Sequence, residues 1–183
     1  MVLSNINKAY SFYSKHIYDE EKMKLLEENR LPIAGSVPSV LWELFGALLT
    51  GRTGAGATGA DLQGWEVKSS KHLGSYEYQY HINTGLDKLR EDCIVNHLFF
   101  SYSETYKDVA VRVMRGSDLA SRYFQKWEPD YISNYNPDIP ANQRRQRFRK
   151  SIPYGYVQEH GTLVMKIESG VLITDSDSEQ SRD

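Results

Sequence analysis

The feature that most constrains this chain is a short segment at residues 58–70, which reads Thr-Gly-Ala-Asp-Leu-Gln-Gly-Trp-Glu-Val-Lys-Ser-Ser. Gln63 and Gly64 fit a two-residue hairpin turn, because Gly64 tolerates the positive φ that such a turn requires. The turn would place Asp61 directly opposite Glu66, with Cβ atoms roughly 4.5–5.5 Å apart. Like charges at that distance repel each other. The pair therefore calls for a cation between the two carboxylates.

Strand geometry adds a lysine to these two acids, because side chains alternate along a strand and Lys68 therefore lies on the same face as Glu66. Trp65 and Val67 then point to the opposite face, which is apolar. Carboxylates suit Mg²⁺, and the bound metal activates water and neutralises charge on a leaving oxygen. With a lysine to orient the nucleophile or stabilise the phosphate, the triplet predicts hydrolysis of a phosphodiester. The alternative is an exposed hairpin with ordinary surface charges, since Glu-x-Lys alone is common.

Asp61 and the run Glu66-Val67-Lys68 resemble the signature of the PD-(D/E)XK nucleases, and Trp-Glu-Val-Lys-Ser-Ser is typical of the restriction endonucleases among them. Residues 41–68 resemble the MutH-like nicking endonucleases. The PvuII-like restriction endonucleases are similar over most of the chain, in the same order, at residues 51–52, 66–69, 126–128, 136–140, 152–153 and 156–162. The resemblance implies one nuclease domain at residues 1–174. Its fold class would be α/β (mixed α+β), with a restriction-endonuclease-like core in which helices flank a mixed central β-sheet.

The chain departs from the family pattern around its first acid. Ala60 stands where the family has a proline, and the spacing from Asp61 to Glu66 is shorter than usual. In an ungapped comparison with the PvuII-like enzymes, the first aspartate of the family falls on Gly56. Asp61 can therefore fill that role only as a displaced residue, and the alternative is that another acid completes the metal site.

The resemblance implies a role for each group of the site. Asp61, Glu66 and the Val67 carbonyl would hold Mg²⁺, and Lys68 would orient or help deprotonate the attacking water. Glu43 is the only charged residue between residues 31 and 51. MutH-like nucleases place a glutamate at this point, which assigns Glu43 to a catalytic role beside a second ion. The alternative is a glutamate that points to solvent.

A polar and aromatic alternation at residues 75–81 predicts a strand whose two faces differ. Glutamine matches adenine and histidine can donate to guanine in the major groove, so Gln79 and His81 are predicted to read bases. Lys71 and His72 are predicted to lie nearer the phosphates. The alternative is an amphipathic strand with its tyrosines in the core. The predicted DNA-binding residues are Arg52, Lys71, His72, Tyr78, Gln79, His81, Asn83, Asn134, Asn136, Arg144, Arg145 and Arg147.

Charge is unevenly distributed along the chain. The net charge of -2 argues against a uniformly basic DNA-binding protein, but basic residues crowd positions 144–150. The segment 131–153 is predicted to be irregular and to contact DNA, because relative to PvuII-like enzymes it gains about a dozen residues that include this basic run. The alternative is a solvated basic loop. Residues 175–183 are acidic and are predicted to be disordered.

Apolar patterns predict the remaining elements. Residues 1–35 are predicted to be helical, and the resemblance makes them a dimerisation region. A helix over residues 38–49 is expected to bury a stripe formed by Val40, Leu41, Leu44, Phe45 and Leu48. A helix over 118–127 is expected to stop at Pro129. Residues 93–102, 109–114, 154–160 and 163–167 are expected to be strands.

These expectations converge on a type II restriction endonuclease, a homodimer that requires Mg²⁺ and cuts double-stranded DNA at a short palindrome. A MutH-like nicking enzyme and a catalytically inactive DNA-binding module of the same fold are the alternatives. A cognate DNA methyltransferase is expected as a functional counterpart rather than a stable partner. Cys93 is the single cysteine, and the sequence has no signal peptide or apolar run of spanning length. A bacterial cytoplasm and no membrane partner are therefore expected.

Overall fold

The computed structural model describes residues 5–56, 59–82, 84–144 and 147–173. They form a mixed α/β structure in which helices flank a five-stranded mixed sheet, as expected. The predicted acidic tail at 175–183 lies outside the described residues. Among the described residues, no helix is long and apolar enough to cross a membrane.

The main sheet has the strand order β1-β3-β4-β6-β7, so β1 lies at one end. β1 runs parallel to β3, and the other neighbouring pairs are antiparallel. The connection between the two parallel strands contains β2 (Tyr76–His81) and α4 (Gly85–Asp92), which places these elements beside the predicted site. The strands are β1 (Trp65–Lys71), β3 (Asn96–Tyr102), β4 (Val109–Arg115), β6 (Thr162–Glu168) and β7 (Val171–Ile173).

A second, two-stranded antiparallel sheet pairs β2 (Tyr76–His81) with β5 (Arg147–Ile152). β5 corrects the expectation that residues 131–153 are irregular. Its apolar residues Phe148 and Ile152 are buried, while the basic residues between them reach toward water. This alternation is typical of a strand with one covered face, although the charges obscure it in the sequence.

The helices cover both faces of the main sheet. Alternating strand residues contribute to two apolar clusters: Leu98 and Phe100 pack with the N-terminal helices, and Phe99 packs with α6 and the second sheet. The helices are α1 (Ile6–Phe12), α2 (Glu20–Glu28), α3 (Ser39–Thr50), α4 (Gly85–Asp92), α5 (Gly116–Leu119), α6 (Gln125–Asn134) and α7 (Tyr154–His160), with π-helical turns at Tyr13–Ile17 and Ala120–Phe124 and a 3-10 turn at Ala141–Gln143.

The buried face of α3 differs from the predicted stripe. Val40 is 59% exposed and Leu44 is 44% exposed, whereas Trp42 and Phe45 are buried. Nearly every residue of this helix is apolar, so periodicity alone does not select a face. Aromatic packing selects it, because the Trp42 and Phe45 rings lie 5.5 and 5.0 Å from the ring of Phe100.

Two further expectations are wrong, and both concern prolines. The helix expected to stop at Pro129 continues, because α6 includes Pro129 and runs to Asn134. Burial of Trp127 and Tyr131 outweighs the one hydrogen bond that proline cannot donate. Residues 154–160 form α7 rather than a strand, since Pro153 precedes the helix with extended backbone and only Val157 is buried.

Because only one face of α3 is buried, two substitutions on this helix should differ in their effect on stability. Phe45→Ala should lower the free energy of unfolding by about 3–5 kcal/mol, because it leaves a cavity beneath the sheet. Val40→Ala on the same helix should change it by less than about 0.5 kcal/mol, because the valine is mostly exposed. Urea denaturation of both variants measures the difference. Equal losses would contradict the observed helix orientation.

Candidate active site

The predicted turn at Gln63 and Gly64 is present and sets the register of the site. Leu62 and Trp65 exchange two backbone hydrogen bonds, with N···O distances of 2.9 and 3.0 Å, and Gly64 has a φ of 76°. Both flanking side chains are buried on the face of the sheet that packs against the N-terminal helices. Their burial directs the alternate residues, Asp61 and Glu66, toward the opposite face.

Asp61, Glu66 and Val67 come together at the open edge of β1. The Asp61 backbone N–H donates to Glu66 Oε2 at 3.4 Å, and the Val67 N–H donates to Asp61 Oδ2 at 2.9 Å. The N–H and C=O of one strand residue point to the same side, so the Val67 carbonyl also faces this edge. The three oxygen donors predicted to hold a metal are therefore neighbours.

Two lysines contact the buried Glu66 carboxylate, which is 2% exposed. Lys68 Nζ lies 2.5 Å from Glu66 Oε1, as the strand alternation predicts. Lys88 Nζ, on α4, lies 2.6 Å from Glu66 Oε2. Lys88 was not among the predicted site residues. Its only signal in the sequence is an acidic residue four positions later, Asp92, and such pairs are common on solvated helices.

The surroundings of Asp61 and Glu66 shift the pKa values of the two acids in opposite directions. Burial and the nearby Glu66 charge raise the pKa of Asp61 to about 6. Burial would also raise the pKa of Glu66, but the ammonium groups of Lys68 and Lys88 outweigh it and hold that pKa below its ordinary value. Burial opposes the charge of Lys68, yet Glu66 and Asp61 raise its pKa, so Lys68 is an ammonium at neutral pH. The site therefore carries two negative groups and two positive groups at pH 8.

A buried network of hydrogen bonds joins Tyr78, His97 and Asp92 next to the site. The Tyr78 hydroxyl lies 2.8 Å from His97 Nδ1, and His97 Nε2 lies 2.8 Å from the backbone oxygen of Asp92. Burial lowers the pKa of His97 to about 4, so the ring is neutral. Since a carbonyl only accepts, Nε2 donates to Asp92 and Nδ1 accepts from Tyr78. Lys68 Nζ lies 4.8 Å from the centre of the Tyr78 ring, which links this network to Lys68.

This network corrects one predicted DNA contact. Tyr78 is 1% exposed, so its side chain does not reach a DNA groove in this conformation. Tyr76 and Tyr80 are buried beside it, which agrees with the alternative that the tyrosines of β2 belong to the core. The polar face of the same strand is more accessible: Gln79 is half-buried and His81 is exposed.

The donor set fits a hard divalent cation. The described residues contain no group of three His, Cys, Asp or Glu side chains that could hold a metal ion. Two carboxylates and one carbonyl are nevertheless a suitable partial set for Mg²⁺, which commonly keeps several waters and takes phosphate oxygens. Glu43 is half-buried on α3, and its charge is among the influences that raise the pKa of Asp61. It is thus close enough to act electrostatically on the site.

The second sheet gathers several of the predicted DNA-binding residues on one face. Gln79 pairs with Arg149 across the strands, and His81 pairs with Arg147. Directly opposed residues share a face, so the polar side chains of Gln79 and His81 stand in a row beside the two arginines. Arg149 also lies 3.7 Å from Glu77. Arg149 was not among the predicted DNA-binding residues, and its place opposite Gln79 depends on β5, which was not recognised as a strand.

The other predicted contacts are dispersed. Lys71 pairs with Glu104, and His72 Nδ1 lies 3.0 Å from the Tyr154 hydroxyl, in a cleft of about 800 Å³ at the end of β1. Arg52 is exposed on the connector after α3.

The residues between α6 and β5 are engaged within their own loop. Asn136 Oδ1 accepts from the Asp138 N–H at 3.0 Å, and Arg144 Nε donates to the Ile139 carbonyl at 2.6 Å. Asn134 is half-buried at the end of α6. The predicted contacts Asn83 and Arg145 lie outside the described residues. Among the described basic residues of this segment, the exposed ones are therefore Arg147 and Arg149 on β5.

Comparison with known proteins adds no family to this description. No protein-family model matches the chain, and no curated protein sequence matches it significantly.

The raised pKa of Asp61 predicts that its charge destabilises the fold. Asp61→Asn keeps an oxygen to accept from the Val67 N–H but removes the repulsion with Glu66. Without divalent cations at pH 8, the variant should be more stable by about 1–3 kcal/mol. The wild-type acid binds its proton more tightly when folded, so the advantage should fall to about half at pH 5. Urea unfolding in EDTA at both pH values measures it, and no gain at pH 8 would contradict the assigned repulsion.

Proposed function

We propose that this protein is a Mg²⁺-dependent endonuclease of the type II restriction class, with a restriction-endonuclease-like core. The observation that carries the proposal is the convergence of Asp61, Glu66 and the Val67 backbone at the open edge of β1, with Lys68 in contact with Glu66. Like-charged carboxylates are unfavourable neighbours, and a fold that retains them beside a lysine has a use for a cation there. The resemblance to PD-(D/E)XK nucleases supports the same reading.

In the proposed reaction, a water attacks a DNA phosphodiester and the 3′ oxygen leaves. Bound Mg²⁺ would lower the pKa of that water and neutralise charge on the leaving oxygen. Asp61, Glu66 and the Val67 carbonyl would provide the oxygens that hold it. Lys68 is charged, so it donates hydrogen bonds to the nucleophile or a phosphate oxygen and stabilises the negative charge that develops. Its contact with Glu66 fixes its direction.

The paired strands β2 and β5 are the proposed base-reading element. A two-stranded ribbon fits the major groove, which is about 12 Å wide. Gln79, His81, Arg147 and Arg149 stand on its polar face, and arginine is the commonest reader of guanine. The opposite face of β2 carries Tyr78, and Lys68 Nζ lies 4.8 Å from the centre of its ring. Base reading and catalysis would thus use the two faces of one strand.

A homodimer is the proposed working form. A twofold axis gives each DNA strand its own site, so that two single cuts make a double-strand break at a palindrome. The helices α2 and α3 and the segment between them expose large apolar side chains that a partner subunit would cover. They are Leu25, Leu31, Val40 and Leu44.

The proposed activity is tested by incubating the protein with unmethylated bacteriophage DNA in Mg²⁺ or in EDTA. Discrete fragments that form only with Mg²⁺ are expected. Glu66→Gln and Lys68→Ala should each lower the cleavage rate at least about 100-fold, because each removes charge stabilisation from the transition state. Lys126→Ala is the matched control, since that lysine is exposed on α6 and belongs neither to the proposed site nor to the proposed dimer interface.

Other patterns on the same gel have separate meanings. Relaxation of supercoiled plasmid without cutting of linear DNA would replace the proposal with a nicking enzyme. Retarded but uncut DNA would indicate a binding module and would remove the catalytic roles of Glu66 and Lys68.

The reading role of the ribbon is tested in a Glu66→Gln background, in which DNA binding is measured without cleavage. Gln79→Ala and Arg149→Ala should each lower the ratio of specific to non-specific affinity by about tenfold or more, since a bidentate base contact is worth about 1–3 kcal/mol. Lys150→Ala is the control on the same strand, because Lys150 pairs with Asp130 on the other face. It should leave the ratio unchanged. An unchanged ratio in all three variants, with weaker binding to every sequence, would indicate phosphate contacts only.

A further inference from the structure

α4 brings a second lysine to the buried carboxylate of β1. Lys88 Nζ lies 2.6 Å from Glu66 Oε2, and its side chain is only 16% exposed. Lys68 already contacts the other oxygen, Oε1, at 2.5 Å. One catalytic lysine is enough to place a cation beside Glu66, so the second one requires its own explanation.

A second buried carboxylate also holds Lys88. Asp92, one helical turn later on α4, places Oδ1 2.5 Å from Lys88 Nζ. Asp92 is fully buried, and its other oxygen accepts a hydrogen bond from the Tyr80 hydroxyl at 2.8 Å. A buried carboxylate with two partners is a fixed acceptor rather than a mobile surface group. The ammonium of Lys88 is therefore shared between two acids, one in the site and one behind it.

Lys88 contacts the Glu66 oxygen that also borders Asp61. Glu66 Oε2 accepts the Asp61 backbone N–H at 3.4 Å, so it lies next to that residue. A divalent cation shared by Asp61 and Glu66 would reach Glu66 through this oxygen. Lys88 and the divalent cation thus compete for one position, and both cannot hold it at full strength because like charges repel.

We propose that Lys88 is a positioning residue that acts as a built-in substitute cation. It holds Glu66 Oε2 in the metal-free protein, and Asp92 retains its ammonium when a divalent cation takes its place. This inference rests on the proposed function, because it assumes that Asp61 and Glu66 form the cation site. Its consequence is that Lys88 preserves the site in the absence of metal at the expense of metal affinity.

Calcium binding tests the inference independently of cleavage. Titration calorimetry with CaCl₂ should give at least about tenfold tighter binding to Lys88→Met than to the wild type, because one competing positive charge is removed. Lys88→Arg should bind close to the wild-type value. Asp92→Asn should bind more weakly, since it releases Lys88 wholly to Glu66. The effects of Lys88→Met and Asp92→Asn are therefore expected in opposite directions.

A double variant guards against a folding defect. Lys88→Met leaves Asp92 without its cation, whereas Lys88→Met combined with Asp92→Asn removes both charges and should remain folded. The double variant should also bind Ca²⁺ more tightly than Asp92→Asn alone. In cleavage assays, the Mg²⁺ concentration that gives half-maximal rate should fall at least about tenfold in Lys88→Met, while kcat at saturating Mg²⁺ changes less than about threefold.

The results separate failure of this inference from failure of the proposed function. Unchanged or weaker Ca²⁺ binding in both Lys88→Met and the double variant, together with Mg²⁺-dependent cleavage by the wild type, would overturn the role of Lys88 alone. Absence of Ca²⁺ binding in wild type and variants, with no cleavage of DNA, would overturn the proposed function and this inference with it.

Discussion

The structure depends on one buried charge. Glu66 is almost fully enclosed, and a carboxylate in that position is tolerated only when it is paired and hydrogen-bonded. Its partners come from separate parts of the chain: Lys68 from the same strand, Lys88 from α4, and a backbone N–H from Asp61. The hairpin turn, the strand register and the placement of α4 therefore all act on the same group.

The strand β2 connects this charge to the outer surface. Its tyrosines are buried, and two of them reach the groups around Glu66 through His97 and Asp92. Its polar residues stand beside the arginines of β5 on the accessible face. A substitution or movement in the paired strands β2 and β5 can therefore affect the groups around Glu66 through direct contacts. This arrangement gives the proposed coupling between base reading and cleavage a physical basis.

Local rules were sufficient to predict the centre of the site. The turn at Gln63 and Gly64 and the alternation of β1 place Asp61, Glu66 and Lys68 as the structure has them, because both rules act over a few residues. Lys88 could not be predicted, since a helical lysine with an acid four positions later looks like any solvated pair. Only the packing of α4 against β2 and α6 brings this lysine to Glu66.

The following wrong predictions share a cause: in each case the sequence pattern is compatible with two different tertiary arrangements. Every face of α3 is apolar enough to be buried, and aromatic contacts with Phe100 selected one. The basic residues of β5 suggested a loop, although Phe148 and Ile152 mark a covered strand. Tyr78 was predicted to contact DNA from its residue type, but the side of β2 on which it lies places it in the core.

The central claim is that Asp61, Glu66 and the Val67 carbonyl form a divalent cation site. Anomalous scattering from crystals soaked in Mn²⁺ tests it most directly, because Mn²⁺ takes the same oxygen ligands as Mg²⁺. We expect an anomalous peak between the two carboxylates, together with movement of Lys88 away from Glu66 Oε2. A peak elsewhere, or none at this position while both lysines still hold Glu66, would show that these oxygens do not form a divalent cation site.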